Sequence, residues 1–248
     1  MRNIKLTIEY DGKDFNGWQK QPNKLNIQGT IERAISEITG EENIELNASG
    51  RTDAGVHALG QVANFKTNSN IPIEKMAIAI NSRLKKSIVI KEAEEVDERF
   101  HSRLTCKKKT YRYVINNSKF PSAIYRNLEC HINQKLNVDK MKEAVKYFEG
   151  EHDFKAFKAS GTSSKSSVRT IYKADVIEMP NNRIYIELTG NGFLYNMVRI
   201  IAGTLVDVGI GKIEPEEIEK IIELGDRANA GKTLPPQGLY LVSVVYDT

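Results

Sequence analysis

The sequence predicts an α+β protein built of two similar subdomains, each a mainly antiparallel sheet with helices packed on one face. Three observations carry this reading. Segments with apolar residues every second position alternate with segments of helical periodicity. Their order is strand, helix, strand, strand, helix, strand, and then much the same again, although the halves share no obvious sequence repeat. Between the halves, near residues 102 to 108, the alternation lapses and the charge turns basic, which places an N-terminal domain at 1–103 and a C-terminal domain at 104–248.

Each element has a local reason. Strands are read at Lys5 to Tyr10, Glu45 to Ala48, Gln61 to Lys66, Ser87 to Ala93, Thr110 to Asn116, Ile171 to Glu178, Arg183 to Thr189 and Leu239 to Tyr246. Asn181-Asn182 between two of them is a hairpin signal, because asparagine tolerates left-handed backbone. The first helix, Thr30 to Thr39, carries Ile31, Ala34, Ile35 and Ile38 on one face and stops at Gly40. Pro72 opens the second, with Ile73, Met76, Ile80 and Leu84 at helical spacing. Asn137 can cap the third, whose Val138, Met141, Val145 and Phe148 form a stripe before Gly150. The fourth, from about Phe193 to Val208, is apolar on most sides and is read as buried. The fifth, Pro215 to Leu224, turns Ile218, Ile221 and Ile222 inward beneath an acidic outer face. The serine-rich stretch Ser160 to Ser167 reads as a mobile loop.

Composition narrows the function classes. Apolar content of 40% and charged content of 27% over 248 residues are ordinary for a globular protein. Cys106 and Cys130 have no CxxC spacing, and His57, His101, His131 and His152 form no HxxxH or HExxH arrangement, so neither a disulfide framework nor a metal cofactor is expected. The N-terminus runs straight into a strand pattern without a signal-peptide core, and no segment is long and apolar enough to span a membrane. A cytoplasmic protein without membrane partners is expected.

The net charge of +4 is unevenly spread. Arg99 to Arg112 holds Arg99, Arg103, Lys107, Lys108, Lys109 and Arg112 with no acid, and Phe154 to Ala174 holds Lys155, Lys158, Lys165, Arg169 and Lys173 with none. With Tyr111, Tyr113 and Tyr172 interleaved, these stretches suit phosphate contact and base stacking; a solvated strand or helix face is the plainer reading. Two nucleotide motifs fail. Gly225 to Thr233 resembles a phosphate-binding loop, but its glycines are separated by five residues instead of four and Pro235-Pro236 follows where a helix should begin. Gly209-Ile210-Gly211 lacks the third glycine and a preceding strand. No nucleotide cofactor is expected.

The densest chemistry lies in Gly50-Arg51-Thr52-Asp53-Ala54-Gly55-Val56-His57-Ala58, a glycine-bounded loop between strand patterns. Arg51 beside Asp53 can form a charged pair that keeps the carboxylate ionised, as a nucleophile requires. An aspartate in such a loop equally serves as an Asx-turn residue.

Taken with Tyr10-Asp11-Gly12, Phe15, Gly17-Trp18-Gln19, Phe100-His101-Ser102-Arg103, Lys109-Thr110-Tyr111-Arg112-Tyr113, Val168-Arg169-Thr170-Ile171, Asn196-Met197-Val198-Arg199 and Gly238-Leu239-Tyr240-Leu241, this loop makes the chain resemble the tRNA pseudouridine synthase A family along nearly its full length. The resemblance implies a cofactor-free isomerase that turns uridine into pseudouridine in the anticodon stem-loop of tRNA, with a basic active-site cleft between the subdomains and a homodimeric state. It implies Asp53 as the nucleophile, Tyr111 as the aromatic against the substrate, Arg51 in the place of the displaced base and Arg199 paired with Asp53. A core or hairpin tyrosine is the alternative for Tyr111, and a pair with Asp207 or an exposed helix edge the alternative for Arg199. Trp18 is read as core, with RNA contact the alternative, and His57 and His101 as residues that orient loops. Lys107, Lys108, Lys109, Lys158, Lys165 and Arg169 are candidates for tRNA phosphates. A non-catalytic RNA-binding protein or RNA chaperone, or an aspartate-based nucleoside hydrolase, are the competing functions.

Overall fold

The computed structural model describes residues 1–161 and 166–247. Lys165 and the middle of the serine-rich stretch lie outside the described residues. In chain order the elements are β1 (Arg2–Tyr10), α1 (Ile27–Thr39), β2 (Asn47–Ala48), β3 (His57–Thr67), α2 (Ile73–Asn81), β4 (Ile88–Val96), β5 (Cys106–Asn116), β6 (Cys130–His131), α3 (Val138–Lys146), β7 (Gly150–Asp153), β8 (Val168–Met179), β9 (Arg183–Gly190), α4 (Met197–Gly209), α5 (Glu217–Leu224) and β10 (Leu239–Tyr246), with short 3₁₀ turns at Phe154–Phe157, Arg227–Asn229 and Pro236–Gly238. The class is α+β with mainly antiparallel pairing, as the sequence pattern implied. Among the described residues no helix is long and apolar enough to cross a membrane.

The chain forms two compact units, Met1–Lys107 with Tyr240–Thr248, and Lys108–Leu239. In the first unit the strands run β4-β1-β3-β10, with β2 on β3. The β1–β3 and β1–β4 pairs are antiparallel, whereas β10 joins β3 in parallel at Tyr240↔His57 and Leu241↔Ala58. This differs from the expected assignment of all of 104–248 to the second half. The reason is long-range pairing, since β10 completes the sheet of the first unit and local periodicity cannot say which sheet a strand will join. Ile4, Leu6 and Ile8 of β1, Phe65 of β3, Ile31 and Ile35 of α1, and Met76 and Ile80 of α2 are fully buried and form this unit's core.

The caps follow the residue types. Asn26 caps α1, its side chain accepting from the Gly29 amide, and Gly40 closes the helix at φ 73. A buried polar knot fastens the segment Phe100-His101-Ser102-Arg103. Asn3 donates to the Asp97 and Phe100 carbonyls at 2.9 Å, Asn64 donates to Asn3 Oδ1 at 3.0 Å and accepts from the Ser102 amide at 2.9 Å, and the Tyr246 hydroxyl donates to the Ser102 carbonyl at 2.7 Å. His101 accepts from the Arg103 amide through Nδ1 at 3.2 Å, the loop-orienting part expected of it.

The second unit orders its strands β5-β9-β8-β7, with β6 on β5 in parallel. Asn181 and Asn182 turn the β8–β9 hairpin at φ 61 and 54. Asn137 caps α3 by accepting from the Lys140 amide. Helix α3 lies against β8 and α4. Tyr113, Ile186 and Leu188 of the sheet pack with Met141, Phe148, Phe154, Phe157, Ile200 and Leu205 in a core from which solvent is excluded. The stretch Gly225 to Thr233, which fails as a phosphate loop, has a packing role instead. A Cβ on Gly203 of α4 would stand 1.9 Å from the Lys232 carbonyl oxygen, and the Gly231 amide donates to Thr204 Oγ1 at 2.9 Å. Backbone meets helix directly there, and only glycine permits it.

Candidate active-site residues in the two units

In the first unit, residues 10–18 hold the loop 50–58. The loop turns at Asp53, whose carbonyl accepts from the Val56 amide at 3.1 Å, and Gly55 inside that turn has φ 77, a conformation that favours glycine. The Trp18 amide donates to the Thr52 carbonyl at 3.0 Å and the Gly55 amide to the Phe15 carbonyl at 3.4 Å. The Tyr10 hydroxyl and Thr52 Oγ1 are 2.7 Å apart, both residues buried. Two glycines allow the approach. A Cβ on Gly12 would lie 1.9 Å from the Val56 carbonyl oxygen, and one on Gly17 2.6 Å from that of Thr52.

His57 fastens the far end of the loop. Its Nδ1 lies 3.1 Å from the Gly12 amide and 3.1 Å from Asp11 Oδ1. The Gly12 amide N–H can only donate, so in that bond Nδ1 accepts, whereas a bond to Asp11 would need the proton on the same nitrogen. The ring stacks on Tyr240 at 4.8 Å, on the strand that pairs with His57 in parallel. Its role is to orient the loop. Trp18, 2% exposed and 6.0 Å from the Tyr10 ring, belongs to the core.

Side chains along the loop take different exposures: Arg51 is exposed, Thr52 buried and Asp53 half-buried. Burial pushes the Tyr10 phenol well above its ordinary range, so this hydroxyl stays protonated at every working pH. Tyr10→Phe strips Thr52 of its buried partner. It is expected to lower stability by about 1–3 kcal/mol and to lower kcat severalfold while KM stays unchanged, which thermal melts and steady-state kinetics would read.

In the second unit, Tyr111 lies on β5 opposite Leu188 of β9, 8% exposed, and its ring meets Phe193 edge-on at 5.0 Å. Tyr113, two residues on and therefore on the same face, donates to the Pro235 carbonyl at 2.7 Å and backs against Gly238, where a Cβ would stand 2.7 Å from its ring. Burial raises the Tyr113 phenol and the Cys130 thiol beside it, so both are kept neutral. Arg199 is half-buried on α4. Its Nε donates to the Leu234 carbonyl at 2.6 Å and Nη1 to Asn196 Oδ1 at 2.7 Å, while the Leu234 amide returns a bond to the Arg199 carbonyl at 3.2 Å. Asn196, at φ 60, precedes α4, which begins at Met197, four residues later than the apolar pattern suggested. Asp207 is taken by Lys212 at 3.2 Å and lies about 12 Å along the helix from Arg199, beyond its reach. The guanidinium is thus held by backbone and by Asn196, not by Asp207.

Lys107, Lys108 and Lys109 sit on β5, whose two-residue period turns Lys108 to the opposite face from the other two. Lys107 pairs with Asp247 at 2.9 Å, and Lys108 lies 5.2 Å over the Tyr172 ring. Lys158 is half-buried. Arg169 donates to the Ser166 and Val168 carbonyls at 3.0 and 2.6 Å, and burial lowers its pKa. These carbonyl bonds direct Arg169 to its own loop. Among the described residues no cluster of three or more His, Cys, Asp or Glu is placed to hold a metal ion.

Sequence reasoning did not single out Tyr10, Thr52 or Phe193. The glycines at 12 and 17 were the available signal, since glycine recurring beside aromatics marks close backbone approach.

The chain matches the tRNA pseudouridine synthase family model over residues 6–104 and 144–247. It is similar to proteins named tRNA pseudouridine synthase A from Acetivibrio thermocellus, at 54% identity, and from Caldicellulosiruptor saccharolyticus, at 55%; each alignment spans 246 residues, 99% of this chain and 100% of the relative. A protein named tRNA pseudouridine synthase A 2 from Clostridium perfringens is 54% identical over 247 residues, again 99% of this chain and 100% of the relative.

Proposed function

Because this chain belongs to the tRNA pseudouridine synthase family, and so is an isomerase of tRNA uridine, we propose that Asp53 is its nucleophile and that its target lies in the anticodon stem-loop. The full-length match to relatives of that name carries the activity. The fixed loop that presents a half-buried Asp53 supports the residue assignment.

The chemistry suits these residue types. The target uridine leaves the stack, at a cost of a few kcal/mol that a loop makes smaller than a duplex does. The Asp53 carboxylate forms a covalent bond to the ribose anomeric carbon or to the uracil ring. The N1–C1′ bond breaks, the base turns, a C5–C1′ bond replaces it, and the bond to Asp53 breaks with its electron pair returning to the carboxylate. C5 then loses its proton and N1 gains one, so the product has the mass of the substrate and nothing is consumed. No nucleotide or metal cofactor is required by this balance. Tyr111 stacks on the freed base and its phenol, directly or through water, accepts the C5 proton. Arg51 takes the room the base vacates. Arg199, fixed by Leu234 and Asn196, is the cation we assign to the substrate-binding set. A basic cleft, Lys158 and the β5 lysines meet tRNA phosphates, and the protein acts in the cytoplasm as a homodimer.

A mass assay tests this reading. Purified protein incubated with an unmodified tRNA transcript should leave the RNA mass unchanged and release no free uracil while pseudouridine accumulates. Free uracil would point to a hydrolase, and bound but unaltered RNA to a chaperone.

A further inference from the structure

Exposed apolar side chains are scattered over this chain, except in the connection from β5 to β6. There Phe120 is 70%, Ile124 78% and Tyr125 47% exposed within six residues. Such a cluster marks a contact surface. No acid occurs from Asn117 to Leu128, while Lys119 and Arg126 are both exposed. The cations are stacked on the rings: Lys119 Nζ lies 5.3 Å over Phe120 and the Arg183 guanidinium 4.7 Å over Tyr125. The next acid along the chain, Glu129, is buried, paired with Arg183 at 2.7 Å and hydrogen-bonded by the Asn116 amide at 2.7 Å. A cavity of about 220 Å³, lined in part by Arg126, Glu129, His131 and Gln237, lies behind the loop.

We propose that this loop is a docking surface for unpaired nucleotides of the tRNA, with Phe120 and Tyr125 as stacking platforms and Lys119 and Arg126 as phosphate contacts. Flat rings with attached cations fit base faces beside phosphates, whatever the base identity. The charge argues against a second copy of this chain as the occupant. A two-fold contact would bring the same positive loop against itself, whereas a polyanion gains from each cation. The proposal rests on the isomerase reading for its substrate but not on Asp53.

The test compares the full chain with Lys119→Ala/Arg126→Ala and with Phe120→Ser/Ile124→Ser, all exposed positions whose change leaves the core intact. Unmodified tRNA transcript is the probe, with Kd measured across a salt series, kcat and KM of pseudouridine formation, and light scattering for the oligomeric state. The charge variant should weaken binding five- to twentyfold and flatten the log–log salt dependence by about 1.5. The apolar variant should weaken binding severalfold with little change in salt slope. In both, KM rises and kcat stays within twofold. Unchanged affinity overturns the proposal, as does a change of oligomeric state at unaltered affinity per protomer, which would make the loop an interface between copies. A wild-type protein that binds tRNA without forming pseudouridine would defeat the isomerase reading and leave the docking result to be read from Kd alone.

Discussion

Asp53→Asn should abolish pseudouridine formation, by at least ~1,000-fold in kcat, while tRNA affinity changes no more than about twofold. The substitution keeps the shape of the side chain and the backbone bond from Val56 to the Asp53 carbonyl, so the loop retains its turn. It removes only the ionised oxygen that bonds to the extruded nucleotide. Binding draws on phosphate and stacking contacts spread over the surface, which an isosteric change at one half-buried position leaves in place. Single-turnover kinetics and a filter-binding titration on one protein preparation separate the two quantities. A chaperone would show no loss of RNA remodelling in this variant.

The second large effect is expected at a residue that carries no functional group. Gly12→Ala puts a methyl 1.9 Å from the Val56 carbonyl oxygen, a backbone atom that cannot rotate away. Either the residue 10–18 segment or the loop 50–58 must move. Movement strains the bonds to Thr52, Gly55 and His57 that share the contact. A stability loss of about 3 kcal/mol follows from overpacking. Because reacting groups tolerate little displacement, turnover should fall by ~100-fold in protein that remains folded. Gly40→Asn is the control, since nothing lies within 4 Å of a Cβ there and asparagine tolerates its φ of 73. Melting curves and kinetics on both variants distinguish crowding at the loop from the general cost of replacing a glycine.

Much of the fold is readable in the sequence where local chemistry decides. The caps at Asn137 and Gly40, the Asn181-Asn182 turn and the span of β10 all follow from residue types and short-range periodicity. What is not readable depends on partners far along the chain. The loop 50–58 ends in β3, because His57 and Ala58 pair with Tyr240 and Leu241. That parallel pairing also carries β10 into the first unit. Strand β6 has only two residues and no pattern of its own. Of the candidate site, the loop and its carboxylate stand out from composition and spacing. The Tyr10–Thr52 bond does not, because it joins residues 42 apart whose types are ordinary in a strand and a turn. The lysine run on β5 shows what adjacency hides: the two-residue period of a strand turns Lys108 to the opposite face from Lys107 and Lys109.

The most direct test of Asp53 as the nucleophile of a tRNA uridine isomerase is to map pseudouridine chemically in an unmodified tRNA transcript, after incubation with wild-type protein and with Asp53→Asn in parallel, in chelator and without added cofactor. The account predicts new pseudouridine in the anticodon stem-loop with the wild type and none with the variant. Pseudouridine formed equally by both proteins would contradict it.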